Sequence, residues 1–279
     1  MTFRGQLAAV TLVGVRGSRL GLLLALPLAA VLAGCGATAH KASSPRAAAV
    51  HKAASERPAD SRAVQRCKAG VRPLGSLGVA VAAVVRSHAV AYRRPGSRPF
   101  ARFGRLNVNR FPTVFRVLAA VRGRDCTARW YRVQLPIKPN GITGYVRVAA
   151  VDTARVRSRV LVDLSARRLT LFRNGQPALR TTVAVGSTAT PTPTGRYSVN
   201  QRLIPADASG PYGPAAIGIS AYSNVLTGWV QGGPVAIHGT NEPWSIGHAA
   251  SNGCIRVRNA VLRRLFAAVP AGTPVVIRR

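Results

Sequence analysis

The sequence predicts a mainly β protein in which a small β domain precedes a larger, β-rich one. From about residue 67 onwards, short apolar runs of strand length alternate with turn residues. One segment near the carboxyl end has the spacing of an amphipathic helix instead. Hydrophobic residues make up 47% of the 279-residue chain, which is enough to form a folded core.

The first β domain is predicted over residues 67–150. Apolar runs at 79–85 and 114–118 are separated by turn sequences at 94–96 and 139–141. The stretch 130–146 resembles the end of a bacterial SH3-like barrel. The expected architecture is therefore a small SH3-like β domain, which serves either as a spacer or as a wall-binding module.

The second β domain is predicted over residues 155–279. The runs 160–164 and 168–172 are β-prone, and Asn174-Gly175 is a strong hairpin turn signal. Asn259 is the expected N-cap of the helix. Four apolar residues of this helix fall at core-facing spacing: Leu262, Leu265, Phe266 and Val269.

Two other features of this domain have alternative interpretations. Residues 205–214 contain three prolines and two glycines, together with Tyr212, and form either a lid or an ordinary surface loop. Trp229 and Trp244 either line a ligand groove or pack in the core, which is the commoner location of tryptophan.

The amino terminus has the pattern of an export signal. Residues 1–34 contain three arginines and no acidic residue, and their apolar run at 20–32 is too short for a membrane span of about 20 residues. The signal ends Leu-Ala-Gly-Cys at 32–35, which resembles a bacterial lipobox with Cys35 as the lipidated residue. Residues 35–66 then read as a flexible tether. The expected location is extracytoplasmic, with a lipid anchor in the membrane facing the cell wall.

The charge balance predicts affinity for polyanions. The chain has 40 Lys and Arg against 7 Asp and Glu, a formal net charge of +33. Codon bias towards arginine explains this equally well. Export makes nucleic acid an improbable partner, and no nucleic-acid-binding motif is present. Anionic wall polymers or anionic lipids are the partners that remain.

The four cysteines fit an oxidising compartment. If Cys35 is lipidated, Cys67, Cys126 and Cys254 remain, which suggests one pair and one reactive thiol. A disulfide between Cys67 and Cys126 would stabilise the fold by about 4 kcal/mol in the chain-entropy model. Two separate thiols are the alternative.

The segment 235–257 contains the residues that predict chemistry. A short apolar strand ends at His238, and Cys254 follows after fifteen intervening residues, the last of which, Gly253, allows a close backbone approach. A thiol with a neighbouring imidazole is the usual composition of a cysteine nucleophile and its base. Zinc binding by His238, His248 and Cys254 lacks a further acidic or Cys ligand nearby, so neither a metal site nor a cofactor is expected.

The pattern His-Gly-Thr at 238–240, a spacer, and Ser-Asn-Gly-Cys-Ile-Arg at 251–256 resembles the signature of the L,D-transpeptidases, with a YkuD-type catalytic domain. The similarity extends over about residues 155–279, including Pro-Thr-Gly at 193–195. The resemblance implies a β-sandwich-like catalytic domain. It also implies cross-linking of peptidoglycan stem peptides through a cysteine thioester.

The resemblance implies a role for each residue of the motif. Cys254 would be the nucleophile and His238 its base, held by the Gly239 carbonyl and stabilising the thiolate as an imidazolium. Backbone amides near Gly253 and Cys254 would stabilise the oxyanion. Three residues would support the site or bind substrate: Arg256, Ser251 and Asn252. Asn252 departs from members with His there, which puts in doubt any role copied from that His.

Two other functions remain open on the sequence alone. Water instead of an amine as acceptor would make the protein a carboxypeptidase or hydrolase. A catalytically silent wall-binding lipoprotein is the alternative from another class, and the intact Cys-His pair argues against it.

Overall fold

The computed structural model describes residues 68–76 and 78–279. The predicted signal at 1–34, the lipidation site Cys35, the tether at 35–66 and Cys67 lie outside the described residues. Within the described part of the chain, no helix is both long and apolar enough to span a bilayer. The mainly β class is confirmed, because strands form most of the regular structure and the chain has one α-helix in its described part.

The first sheet is antiparallel and includes all strands up to residue 156. Its order is β4-β3-β7-β6-β5-β2-β8, and β1 pairs with β5. The strands are β1 Gly70–Pro73, β2 Ala80–Val85, β3 His88–Tyr92, β4 Pro99–Gly104, β5 Val114–Arg122, β6 Ala128–Gln134, β7 Thr143–Arg147 and β8 Val151–Val156. A short 3-10 turn, Val148–Ala150, precedes β8. This sheet has a hydrophobic core of its own, in which residues such as Phe115 and Leu135 are almost fully buried. The SH3-like architecture stays a prediction.

The second sheet carries the motif residues. Its order is β11-β10-β9-β18-β13-β14-β15-β17, and β12 and β16 form a separate parallel pair. The strands are β9 Ser158–Asp163, β10 Arg168–Arg173, β11 Gln176–Thr182, β12 Val185–Gly186, β13 Gly195–Leu203, β14 Ala216–Tyr222, β15 Pro234–His238, β16 Ala249–Ser251, β17 Ile255–Arg256 and β18 Pro274–Arg278. Two 3-10 turns, Val230–Gly232 and Pro243–Ser245, lie in its loops.

The hairpin predicted from Asn174-Gly175 is confirmed. Arg173 of β10 pairs with Gln176 of β11. Asn174 and Gly175 have φ angles of 50° and 83°. Positive φ at both central residues matches the twist of the flanking strands, and Asn and Gly tolerate it best.

The single described helix, α1, spans Asn259–Ala268 and packs on the second sheet. Leu262 and Leu265 are buried as their spacing predicted. The expected N-cap was wrong, since Arg258 occupies the cap position and Asn259 is the first helical residue. The side chain of Asn259 bonds the backbone of another loop instead, which accounts for the error.

A side-chain amide joins the two sheets. Asn140 Nδ2 donates to the Tyr222 carbonyl oxygen at 2.8 Å, and the Tyr222 amide donates to Asn140 Oδ1 at 2.9 Å. The Tyr222 hydroxyl also donates to the Pro136 carbonyl at 2.8 Å. The amide of Asn140 thus mimics a strand neighbour at the end of β14.

Candidate active site

The fold brings His238 and Cys254 to one face of the second sheet. β15 and β17 are parallel neighbours, in which Ile237 lies opposite Ile255 and His238 lies opposite Arg256. Both isoleucines are buried in the core. Because side chains alternate along a strand, His238 and Arg256 point to the other face, and Cys254, two residues before Arg256, shares it. Diagonal neighbours across strands are about 7–8 Å apart, within reach of an imidazole ring.

A backbone carbonyl fixes the tautomer of His238. The Nδ1 atom lies 2.6 Å from the Gly239 carbonyl oxygen. The carbonyl can only accept, so Nδ1 carries the proton and donates it. The lone pair of neutral His238 is therefore on Nε2, the atom suited to accept a proton from a thiol. This is the contact that the sequence resemblance implied for Gly239.

Burial keeps both ionisable groups neutral in the resting site. It lowers the pKa of His238 to about 4, helped by the charge of Arg256 and opposed by the bond to Gly239. Burial likewise raises the pKa of Cys254, although a backbone hydrogen bond from Ala236 and the charge of Arg256 oppose the rise. Desolvation therefore favours a neutral pair before reaction, whereas the resemblance implied an imidazolium with a thiolate.

Cys254 is a free cysteine and is partly exposed. Cys126, in contrast, is disulfide-bonded. Since Cys67 lies outside the described residues, the pairing of Cys67 with Cys126 stays a prediction. Cys254 itself is partly exposed, although its sulfur lies deep enough for burial to raise its pKa.

Tyr212 covers the two motif residues. Its ring contacts the His238 ring edge-on at a centroid distance of 5.0 Å. Burial raises the pKa of Tyr212, and its interaction with Cys254 adds to the rise. The segment 205–214 therefore reaches the site, as the lid interpretation requires. By contrast, Trp229 and Trp244 are 51% and 66% exposed, so core packing was the wrong interpretation for both.

The loop before Cys254 is held by Ser251. The Ser251 hydroxyl donates to the Cys254 carbonyl at 2.6 Å and accepts from the Gly253 amide at 3.2 Å. Gly253 has φ +102°, a conformation that other residues rarely adopt. Asn252 is exposed beside this loop. Ser251 thus supports the loop, as expected from its position.

Arg256 forms an ion pair with Glu242. The two side chains are 15% and 44% exposed, and the guanidinium donates from Nη1 to the carboxylate. The sequence resemblance allowed two roles for Arg256: it either holds the site together or binds a substrate carboxylate. Its contact with Glu242 supports the first role.

Sequence reasoning missed Asn259 as a positioning residue. Its Oδ1 accepts from the Thr240 amide at 2.8 Å. A Cβ on Gly239 would lie 2.2 Å from this oxygen, and one on Gly213 would lie 2.4 Å from it. Glycine at both positions therefore lets Asn259 hold the segment that follows His238. No local sequence signal predicts this contact, since it joins residues 19 apart.

No three His, Cys, Asp or Glu side chains of residues 68–76 and 78–279 cluster closely enough to bind a metal ion.

The family model described as "L,D-transpeptidase catalytic domain" (YkuD) matches residues 157–277. The putative L,D-transpeptidase YkuD of Bacillus subtilis is 36% identical over 129 residues, which are 46% of this chain and 70% of the relative. The probable L,D-transpeptidase YcfS of Escherichia coli is 39% identical over 75 residues, 27% of this chain and 21% of the relative.

Two solved structures show a weaker likeness. An Enterococcus faecium L,D-transpeptidase mutant is 26% identical with a TM-score of 0.34, over 43% of this chain and 49% of that one. Bdellovibrio bacteriovorus Bd1075 is 29% identical with a TM-score of 0.36, over 44% of this chain and 48% of that one. This chain spans about half the length of these two structures.

The family model and the Bacillus subtilis relative cover the residues that form the site described above. The residues matched by the family model, 157–277, include Tyr212, His238 and Cys254. The chain belongs to the L,D-transpeptidase family and has a catalytic domain of the YkuD, acyltransferase type.

Proposed function

We propose that this protein cross-links peptidoglycan stem peptides by acyl transfer through a thioester on Cys254. The observation that carries the proposal is the placement of Cys254 and His238 on one face of neighbouring parallel strands, beneath Tyr212. Family membership supports the same reaction class. The substrate is a stem peptide in which an L-configured residue is linked to D-Ala.

The first half-reaction begins from a neutral thiol and a neutral imidazole. Nε2 of His238 accepts the Cys254 proton as the sulfur attacks the carbonyl carbon, so that a C–S bond forms. The protonated His238 then gives this proton to the departing D-Ala nitrogen as the amide C–N bond breaks. Donation from Nδ1 to the Gly239 carbonyl stabilises the transient imidazolium.

Backbone amides beside the nucleophile stabilise the tetrahedral oxyanion. The Gly253 amide already donates to the Ser251 hydroxyl at 3.2 Å. We therefore assign the main oxyanion contact to the amide of Cys254, which the Ser251 loop holds in place. One such donor contributes about 3 kcal/mol in other acyl-transfer enzymes.

In the second half-reaction, a side-chain amine of another stem peptide attacks the thioester. The new amide bond forms, the C–S bond breaks, and the amine proton passes through His238 to the sulfur. Water in place of the amine would give a carboxypeptidase. Product analysis with and without an added amine acceptor separates the two, and cross-linked dimers are the expected product.

The test of the active site is the mass of the intact protein after incubation with a carbapenem, which acylates nucleophiles of this kind. We expect one covalent adduct on the wild type and none on Cys254→Ala. His238→Ala should slow adduct formation by about 100-fold or more. The matched control is His248→Ala, since His248 is exposed and outside the site. An unchanged wild-type mass would contradict the proposal.

The same experiment separates an enzyme from a silent wall-binding protein, because only a reactive thiol forms the adduct. Incubation with purified wall fragments, followed by mass analysis of new cross-links, then tests the substrate.

The location is part of the proposal. The lipobox-like sequence at 32–35 supports export and lipidation at Cys35. The net charge of +33 supports attraction to anionic wall polymers. Adsorption to isolated walls should fall as salt rises, since exposed charges are screened over about 10 Å at 0.1 M. Adsorption that is unaffected by salt would rule out the electrostatic part.

A further inference from the structure

A second cleft opens on the same sheet face as His238. It has a volume of about 390 Å³ and lies between the 105–113 loop of the first sheet and strands β13 to β15. Pro234 of β15 lines it. Pro234, Ala236 and His238 alternate with buried core residues along β15, so they share one face. The cleft and the proposed catalytic pair are therefore two ends of one surface.

The strand register gives the spacing between the two ends. Gln201 lies opposite Gly218, and Gly218 lies opposite Ala236. The Gln201 side chain lies across Gly218, because a Cβ there would be 2.4 Å from Gln201 Cγ. Ala236 in turn donates a backbone hydrogen bond to Cys254. Two strand spacings separate the Gln201 amide from Cys254, about 10 Å or three extended residues.

Carboxamides make up most of the polar lining of the cleft, which also includes the exposed Arg102. Gln201 is 7% exposed, and its Oε1 accepts from Asn107 at 3.3 Å and from Asn109 at 2.8 Å. Asn109 and Gln231 exchange two further bonds, at 3.3 and 2.8 Å. Carboxamides both donate and accept. A ligand that matches them has hydrogen-bond donors as well as acceptors.

Asn200 supplies an unused acceptor. A β-bulge between Val199 and Gln201 brings Asn200 to the cleft side beside Gln201. Asn200 Oδ1 is buried and has no hydrogen-bond partner in the described part of the chain. A buried polar atom without a partner destabilises the protein unless something else bonds it. The missing partner is a hydrogen-bond donor.

Gln231 is held in a backbone conformation that is costly for a residue with a side chain. Its φ is +58°, and glycine would adopt this conformation more easily. Strain of this kind concentrates at ligand sites. The Asn109–Gln231 contact by itself would account for a link between the two sheets, but it leaves the orphaned Asn200 oxygen unexplained.

We propose that this cleft binds the N-acetylated amino-sugar chain to which the stem peptide is attached. The inference rests on the proposed function, since it makes the cleft a subsite for the same substrate. A peptide of about three residues spans the distance from Cys254, so the sugar at its base reaches the cleft. Sugar hydroxyls and acetamido groups match the carboxamides, and Phe103 and Tyr222 offer aromatic surface to the apolar sugar faces.

The test measures binding of N,N′-diacetylchitobiose, a neutral disaccharide of this class, to the full chain carrying Cys254→Ala. We expect saturable binding by calorimetry, weakened at least fivefold by Gln231→Gly and by Asn200→Leu. Gln231→Gly also relieves the positive φ, so its thermal midpoint should stay close to that of the parent. Gln176→Ala, an exposed amide outside the cleft, is the matched control and should bind normally.

Absence of saturable binding to the parent, or binding that neither cleft variant weakens, would overturn the inference. So would competition for the cleft by a free stem tripeptide but not by the disaccharide, since the occupant would then be peptide. Because the readout does not use Cys254, sugar binding without any carbapenem adduct would refute the proposed reaction and leave the cleft assignment standing.

Discussion

Arg256 lies directly opposite His238 across the parallel β15–β17 pair, and its positive charge lowers the pKa of the imidazole. The same charge opposes the rise in the pKa of Cys254. Arg256 thus disfavours the protonated base and favours the ionised nucleophile. Burial is the larger cause for both groups, so the resting pair is neutral, and the proton moves only when the thiol reacts.

This arrangement predicts the pH dependence of acylation. Neutral His238 is the active form, and its pKa is about 4. The rate constant for carbapenem adduct formation should therefore rise as pH increases through about 4 and then stay level across pH 6 to 8. Stopped-flow or mass-based rates over this range check it. An acid limb near 6.5, the ordinary value of histidine, would show that the imidazole is solvated before reaction.

The same pKa predicts a loss of stability in mild acid. The folded-state value of about 4 lies below the ordinary 6.5, so the unfolded chain binds a proton that the folded chain does not. Stability should therefore be lost as pH falls from about 6.5 to 4, by up to about 3 kcal/mol. Urea unfolding of the wild type and of His238→Gln measures it.

The His238→Gln variant should lose less stability over that pH range, because it lacks the titrating ring. His248→Gln is the control and should follow the wild type. Asp125, Asp163 and Asp207 have lowered pKa values, and the stability that they contribute is lost as pH falls from about 5 downwards, so the interval from about 6.5 to 5 reports on His238.

Replacement of Arg256 separates its charge from its ion pair. Arg256→Met removes one cause of the low His238 pKa, so the acid limb of the acylation profile should move to higher pH. Burial remains, so the midpoint of that limb should stay below pH 6.5. The substitution also leaves Glu242 unpaired, which should cost about 1 kcal/mol or less because that carboxylate is 44% exposed. Arg256→Lys keeps the charge and should leave the limb in place. An unmoved limb in both variants would assign Arg256 to structure alone.

Asn259 is expected to act on the reaction through His238. Asn259→Ala leaves the buried Thr240 amide without an acceptor, which should lower the free energy of unfolding by about 1–3 kcal/mol. It should also slow acylation, because the segment with the Gly239 carbonyl is no longer held. Asn259→Asp keeps the acceptor oxygen, so it should retain most of the free energy of unfolding and most of the acylation rate. The pH profile of Asn259→Ala distinguishes the roles: a residue that only stabilises the fold would leave the acid limb at about 4.

Local signals predicted the elements and the two motif residues. The apolar run that ends at His238 forms β15, and the Asn174-Gly175 turn joins β10 to β11 as a hairpin. Both were predictable because strand and turn propensities act over a few residues. The contact of His238 with Gly239 joins adjacent residues and followed from the resemblance. These interactions need no knowledge of the rest of the fold.

The contacts that complete the site join distant residues. Tyr212 reaches His238 from a loop 26 positions away, and Asn259 reaches Thr240 from the helix. The neutral resting pair was also unpredictable, because it depends on how deeply the fold buries two side chains. Periodicity and spacing contain no information on burial depth, and the imidazolium that the resemblance implied stays a prediction for the pH profile to test.

The amide of Asn140 gives a prediction about the junction between the two sheets. Its side chain donates to the Tyr222 carbonyl and accepts from the Tyr222 amide at 2.8 and 2.9 Å. Asn140→Asp removes the donor and places a carboxylate beside the carbonyl oxygen, whereas Asn140→Ala removes both bonds. We expect each variant to lower the free energy of unfolding by about 1–3 kcal/mol.

Calorimetry of the two Asn140 variants also reports on cooperativity. If the junction couples the sheets, unfolding that is a single transition in the wild type should broaden or split in Asn140→Ala, because each sheet has its own buried core. Asn224→Ala is the matched control. Asn224 Oδ1 accepts a long hydrogen bond of 3.4 Å from Asn140 Nδ2, and this bond does not involve the backbone of β14. A sharp transition at the wild-type temperature in Asn140→Ala would show that the amide pair contributes nothing to the coupling.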